Sequence, residues 1–490
     1  MNFRDWPEFV GGTYVDQVPL SAQRAINLYA ERMEVPTGKG AFAFKNVPGI
    51  SQFSDLSSVT SQAAEFLFCV PGATPAGDRL FALANEDLIE IGATGTPADR
   101  DTLTAGTIHS IGTNAPQGDQ LIYTSDGSAS RKYVLSTNTA SAVGTPPTTP
   151  GKFVFLDGYM LTFDRGTQKL YFSSSYNVDA WAAADTFTAE ADPDEVLDII
   201  TDHRELWVVG PQSLQSFINV GDPDIVFGAS QVIQYGAIPG SLMRHDNALM
   251  FIGRQSGGSG HGSDLAVYRI EGSQPARMST HAIEILLNAV AAPTRANCFS
   301  LTLRGHAFYV ISTLTPASGS GLGTSLAYDS STGQWFEWAH WSTAETFTNL
   351  SILSYAYAFG KHLVCVGSSD FKNVYEINPS VLTDALAPAA NTGDDIRWLR
   401  RTPHAVASRN RVFIDALRVH INDNEAVELK TSFDGGSTFG SGQDATADER
   451  GAQWNGLGSG RDFVAQVAGT IDTQAITIDG ASIAARVGAH

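Results

Sequence analysis

The feature that most limits what this chain can become is a recurring hairpin pattern. Short runs of alternating apolar residues come in pairs, each opening near a Gly, Asp or Asn. The pairs are Arg79–Ala84 with Leu88–Ile91, Gln120–Thr124 with Lys132–Leu135, and Gly158–Phe163 with Leu170–Phe172. They continue as Glu205–Val209 with Leu214–Ile218, and Ala248–Ile252 with Leu265–Tyr268. The last two are His306–Val310 with Leu326–Tyr328, and His362–Val366 with Val374–Ile377. About seven units therefore follow at a spacing of roughly 40 to 58 residues, the period of a four-stranded propeller blade.

One small twisted sheet cannot bury both of its faces alone. Stacking sheets radially buries them, and closing the ring leaves only short, protected edges. The units share pattern rather than sequence, with no Trp-Asp signature or kelch-like diglycine repeat running through them. The expected fold class is all-β: a β-propeller of about seven blades, followed by a small C-terminal β-sandwich-like domain. A β-sandwich array is the alternative architecture. The expected divisions are 1–65 as an N-terminal arm and first blade strands, 66–382 as the propeller, 383–395 as a linker, and 396–490 as the C-terminal β-domain.

Composition agrees with this class. The chain has 490 residues with 47 Gly and 21 Pro, and only 17% are charged, a turn-rich profile. An apolar fraction of 43% is enough to build a core. No apolar run reaches the ~18 residues of a transmembrane helix. The start, Met1 to Pro7, lacks the charged-then-apolar pattern of an export signal, so synthesis and assembly in a cytoplasm are expected. Cys69, Cys298 and Cys365 are far apart and odd in number, and encode no disulfide framework. With 31 Lys+Arg against 51 Asp+Glu, the formal charge of −20 disfavours general nucleic-acid binding.

Helix signals are few. Ser21–Met33 suits a short amphipathic helix or, through Ile26-Asn27-Leu28-Tyr29, a strand; His281–Ala291 is a second helix candidate. Loops are expected at Gly144–Gly151, Gly257–Gly262, Ser318–Gly323 and Thr383–Gly393. From Ile396 the chain turns locally basic, with Arg397, Arg400, Arg401, Arg409, Arg411 and Arg418, before the alternating run Val412–Ile421.

Signatures of catalysis are missing. There is no Gly-x-Ser-x-Gly elbow, no Gly-Lys followed by Ser or Thr for a phosphate loop, and no His-Glu-x-x-His or paired Cys-x-x-Cys for zinc. The acidic stretch Glu190, Asp192, Asp194, Glu195, Asp198, Asp202 lacks the Gly-bearing spacing of a calcium loop and reads as a solvated approach to a blade. No catalytic residue, metal or cofactor is assigned, and the chain is expected not to be an enzyme.

One motif is specific. Ser432, Asp434, Gly436, Thr438 and Phe439 match an Asp-box, a hairpin in which the Ser and Asp side chains bond the turn's own backbone and the aromatic plugs the space beneath. Such turns also occur in sialidases, but there they repeat blade after blade. The aromatic run holding Trp335, Trp338 and Trp341 suits sugar stacking or a contact between blades or subunits. A glycan hydrolase would need two carboxylates ~5 to 9 Å apart, which no spacing here assembles.

Several segments together resemble the tail hub proteins of short-tailed bacteriophages, also called packaged-DNA stabilisation, tail accessory or nozzle proteins. They are Gly11–Tyr14, Gln23–Glu31, Asp202–Trp207, Arg277–Glu284, Gly305–Val310, Ser331–Trp335, Gly360–Val364, Arg401–His404 and Asp434–Thr438, spread over most of the chain. The chain departs from the pattern at Phe439, where Trp is common. The resemblance implies a structural virion protein of the tail, in a ring, expected as a homo-hexamer, below the portal and its adaptor. That ring closes the DNA channel, stabilises packaged DNA, and docks tailspikes or fibres and a needle or plug. DNA would pass without specific binding, helped by acidic repulsion, and no membrane insertion is implied. Trp6, Phe9, Tyr14, Arg24, Asn27 and Tyr29 would then lie on an arm docking on a neighbouring subunit or the adaptor, or on an interior strand of the first blade. The alternative function is a glycan-binding or sialidase-like glycan-cleaving propeller.

Overall fold

The computed structural model describes residues 3–488 apart from 11–14, 18–20, 38–39, 146, 193, 223, 257–263, 343–344, 368–371, 387–393, 406–409 and 472–473. The Gly257–Gly262 loop, Tyr14 and Arg409 thus lie outside the described residues.

All seven expected hairpins are antiparallel pairs, and each is flanked by further strands. Sheet 1 is the meander Phe66–Val70, Arg79–Ala84, Asp87–Ile91, Pro97–Thr102. Sheet 2 runs from Ser110–Thr113 to Thr139–Ala142, sheet 3 from Val154–Leu156 to Thr186–Thr188, and sheet 4 from Asp198–Asp202 to Phe227–Ile233. Sheet 5 begins with Tyr235–Ala237 and Met243–His245 and ends with Gln274–Arg277. Sheet 6 runs from Pro293–Leu303 to Gln334–Trp338. Sheet 7 comprises Ile352–Ala358, Lys361–Val366, Asn373–Asn378 and, from the far end of the chain, Gly49–Asp55.

Alternation fixes how these sheets pack. Successive side chains of a strand point to opposite faces, so each sheet offers one apolar face to each neighbour. Leu67, Leu80, Ala82 and Ile89 of sheet 1 pack with Ala356, Leu363 and Cys365 of sheet 7. Phe81, Leu83 and Leu88 pack instead with Ile111, Leu121 and Tyr123 of sheet 2. Comparable clusters join sheets 2 and 3, 3 and 4, 4 and 5, 5 and 6, and 6 and 7, so the order closes on itself. Cys365 and Cys298 are buried and Cys69 half-buried, none in a disulfide.

The N-terminal residues depart from expectation. Rather than an arm or the strands of a first blade, most of the strands described before residue 56 join the last sheet or the C-terminal sheets. Gly49–Asp55 pairs antiparallel with Asn373–Asn378, so the earliest sheet residues complete the latest sheet. The hairpin Leu28–Thr37 and Gly40–Asn46 joins a sheet with Thr477–Val487, Val412–Ile421 and Ala452–Gly460. Ser21–Ile26 is a strand, not a helix: it pairs antiparallel with Asp394–Arg401 and, through Ile26, parallel with Glu337 of sheet 6. Burial on both sides favours the extended form of Ile26 and Leu28 over any helical preference. The strand Asp394–Arg401 also begins inside the expected linker 383–395 and pairs with Val464–Ile471, which in turn pairs with Ala426–Ser432. Side chains of this set and of the Leu28–Thr37 set, among them Leu417, Val419, Val427, Leu429 and Val467, share one core cluster.

The α-helix His281–Ala289 follows sheet 5, two residues shorter than expected, and buries Ile283 and Leu287. No helix among the described residues is long and apolar enough to cross a membrane.

Candidate functional site

The seam between sheets 6 and 7 and the C-terminal sheets gathers most of the residues the sequence singled out. Arg24 stands on the strand wedged between Gln334–Trp338 and Asp394–Arg401. Its guanidinium makes a bidentate pair with Glu337, Nε to Oε1 at 2.6 Å and Nη2 to Oε2 at 2.7 Å. Thr324 Oγ1 also donates to Glu337 Oε2 at 2.6 Å. The Glu337 side chain is only 1% exposed, so its charge is held by these partners rather than by water.

Asn27 ends that strand in the left-handed region, φ 57°. A short amide side chain tolerates this conformation, and here it also fixes three backbone groups. Asn27 Nδ2 donates to the carbonyls of Ala339 and Arg397, each at 2.8 Å, while Oδ1 accepts from Ala339 N at 2.9 Å. One side chain thereby links sheet 6 to the C-terminal strand. Next along, Tyr29 packs edge-on against His306 and Phe308, and burial raises its phenol pKa.

His306 Nδ1–H donates to Asp329 Oδ2 at 2.7 Å, and Nε2 lies 3.2 Å from Glu31 Oε2. Hydrogen bonding to Asp329, above all, raises the histidine's pKa against the opposing effect of burial. His340 Nδ1 lies 3.0 Å from Asp384 Oδ2 in the same seam.

Arg400 is wholly buried, and burial lowers its pKa to about 9. Its Nε donates to the Phe9 carbonyl at 2.8 Å and Nη2 to that of Glu8 at 3.3 Å, with the guanidinium 5.0 Å from the Phe44 ring. Trp6 donates its backbone N–H to Ala481 and packs against Phe9 and Phe463. Residues 3–10 are therefore strapped to the C-terminal sheets.

Burial reassigns most of the expected docking residues. Trp6, Phe9, Asn27, Tyr29, Trp335 and Trp338 are buried in this chain's own core, and the half-buried Arg24 is paired with Glu337. Trp335 donates its indole N–H to the Met278 carbonyl and packs at a tilt against Tyr328. Trp341 is half-buried under Arg397, whose guanidinium lies 4.7 Å from the ring. This arrangement leaves no platform of three coplanar-accessible indoles for a sugar.

The basic run also fails to form one patch. Arg397 faces Glu428 at 3.7 Å, Arg401 donates to Gln466 at 2.9 Å, Arg418 to Gln453 at 3.0 Å, and Arg411 to Ser459 at 2.9 Å. Alternation along two strands sends these side chains to different faces.

In the Asp-box turn, Ser432 Oγ accepts from Gly436 N at 2.8 Å, and Asp434 accepts from Thr438 N at 2.9 Å and Thr438 Oγ1 at 2.6 Å. Hydrogen bonds, chiefly from Ser432, lower the Asp434 pKa to about 2. Phe439 lies under Arg401, 4.9 Å from its guanidinium carbon. In the acidic stretch, Asp198 opens the first strand of sheet 4 and accepts from Gly240 N across to sheet 5. Among the described residues no group of three or more His, Cys, Asp or Glu is placed to hold a metal ion.

Sequence reading gave Glu337 no role and placed Arg400 only in a basic run, yet both are charges buried in the seam. Their signal was present: Glu337 sits inside the apolar run Trp335–Trp338 and Arg400 follows Trp398-Leu399, positions where alternation calls for an inward side chain.

An all-β chain whose small antiparallel sheets follow one another in a closed order is of the β-propeller class. The family model described as bacteriophage P22 Gp10, beta-propeller, matches residues 9–381. The chain belongs to that family of phage packaged-DNA stabilisation, or tail hub, proteins, and so to a family of virion structural proteins. No curated protein matches it.

Proposed function

We propose that the chain is a tail hub subunit: one of a ring, expected to be hexameric, attached below the portal and its adaptor, closing the DNA channel and offering surfaces to tailspikes or fibres and to a plug. The family match over 373 of the 490 residues (9 through 381) carries this reading. We further read sheets 1–7 as seven blades closed by Gly49–Asp55, and the two C-terminal sheets as a sandwich.

The seam suits such a part. A ring closed only by the ends of one chain opens when its last sheet frays. Here the closing strand is continuous with the strand and hairpin held by Arg24, Asn27 and Tyr29, so opening the ring requires breaking the buried pair with Glu337 as well. That coupling favours a rigid body suited to load from packaged DNA. The formal charge of −20 supports passage of DNA without adhesion, since phosphate binding needs clustered cations.

The test is the solution mass of the purified protein, alone and mixed with the portal–adaptor assembly. A ring, or a monomer that joins a ring on the adaptor, is the expected result. A monomer that ignores the adaptor overturns the proposal.

A further inference from the structure

Two surfaces of the chain are unlike the rest, and they complement each other. The first is the outer hairpin of sheet 4, Leu214–Asn219 and Phe227–Ile233, with Val220 and Val226 bonded to each other beyond its strands. Ile225 is 62% exposed and Val220 48%, and Ile218 and Val232 stand exposed on the same hairpin. Four of the nine large apolar side chains exposed among the described residues thus fall on one hairpin. Single exposed apolar residues are ordinary, whereas a contiguous group marks a contact surface.

Beside the hairpin lies a cavity of about 680 Å³ between sheets 3 and 4, floored by Tyr159, Phe172, Phe187 and Phe227. Asp185, Asp222 and Asp224 line it without an ion-pair partner among the described residues, while Asp157 is paired with Arg204 at 3.0 Å. An aromatic floor under free carboxylates is the chemistry that takes a guanidinium or ammonium group flanked by apolar side chains.

The second surface offers that chemistry. At the end of the C-terminal strand pair Val412–Ile421 and Thr477–Val487, Phe413 lies opposite Arg486, and Val487 opposite Val412. Phe413 and Val487 are two more of the nine exposed apolar side chains. The Arg411 and Arg486 guanidinium carbons lie 5.8 and 5.9 Å from the Phe413 ring. Arg486, itself exposed, makes a bidentate pair with the half-buried Asp415, and Arg411 bonds a serine hydroxyl rather than a carboxylate. In a chain of formal charge −20, an exposed aromatic flanked by two arginines is a local exception.

The two surfaces cannot meet within one copy. Sheets 3 and 4 stand across the closed order of sheets from the seam of sheets 6 and 7, where the C-terminal sheets attach. We propose that they meet between copies: the sheet 4 hairpin and its acidic, aromatic cavity dock on the Arg411, Phe413, Arg486, Val487 surface of the next copy. Two different surfaces used in sequence make a head-to-tail contact, which generates rings when the rotation closes. The inference rests on the ring reading above and names the contact that builds the ring.

The test uses full-length chains with one added cysteine each, Ile225→Cys or Val487→Cys, and a short bismaleimide, alone and with the portal–adaptor assembly. Background labelling is low, because Cys298 and Cys365 are buried and burial pushes the half-buried Cys69 thiol up to about 12. Neither variant alone cross-links efficiently, but their equimolar mixture gives a species of twice the chain mass, and a chain with both cysteines gives a ladder. Reversing the tip, Asp222→Arg with Asp224→Arg, lowers the yield roughly three- to tenfold at low salt, the scale of two surface ion pairs. Adding Arg411→Glu with Arg486→Glu restores it. Absence of a mixed cross-link in a protein that nonetheless forms rings overturns this contact and leaves the ring reading standing. A wild-type chain that stays monomeric with the adaptor present overturns the ring reading itself.

Discussion

The Arg24–Glu337 pair gives the sharpest test of how the seam holds the molecule closed. Replacing Arg24 with Ala removes both bonds to a carboxylate that is 1% exposed and leaves it with the Thr324 hydroxyl. Breaking one side of a buried pair costs about 3–5 kcal/mol, because the remaining charge stays desolvated without its partner. An unfolding entropy of about 2.1 cal/mol/K per residue, over all 490 residues, comes to roughly 1 kcal/mol/K. The variant's Tm therefore falls by about 3–5 °C if the chain melts as one unit, and by more if the seam melts as a smaller one. Replacing both residues, Arg24→Met with Glu337→Leu, removes the stranded charge and recovers most of the loss. Differential scanning calorimetry of the three proteins measures both effects, and limited proteolysis within residues 45–55 shows whether the closing strand has loosened. A loss below about 1 °C in Arg24→Ala, or a double variant worse than the single, refutes the claim that this pair is buried and structural.

Other expectations follow the same seam and its neighbours. Asn27→Ala loses three hydrogen bonds at about 1 kcal/mol each and places a Cβ residue without amide support at φ 57°, so a loss of about 3–4 kcal/mol is expected from denaturant titration. The raised pKa of His306 means its stabilisation is fully present below its unfolded value of about 6.5 and is lost as pH rises through the folded value. A His306→Gln variant accordingly shows a flatter dependence of Tm on pH above 6.5 than the parent. Leu363→Ala opens the buried contact between sheets 7 and 1 and costs about 2–5 kcal/mol, read as a lower denaturant midpoint. Arg400→Met, which removes the donors to Phe9 and Glu8, exposes residues 3–10 to protease well before the remainder of the chain.

What the sequence by itself determined was local and periodic. The seven hairpins were legible because a strand's period of two is written in its own residues, as in Arg79–Ala84 with five apolar positions divided between one neighbour and the other. The Asp-box was legible for the same reason, its bonds closing within the turn from Ser432 to Thr438. The family was legible from short motifs kept in order along the chain, and the match over residues 9–381 agrees with it.

The seam was not legible, because its partners are hundreds of residues apart. Arg24 meets Glu337, Arg400 meets Phe9, and Gly49–Asp55 meets Asn373–Asn378. Nothing in Trp6, Tyr29 or Trp338 distinguishes an aromatic that anchors a partner from one that fills a core, since the same apolar area serves both. Only the tertiary structure decides between them, by bringing the two ends of the chain together and burying the residues that lie where they join.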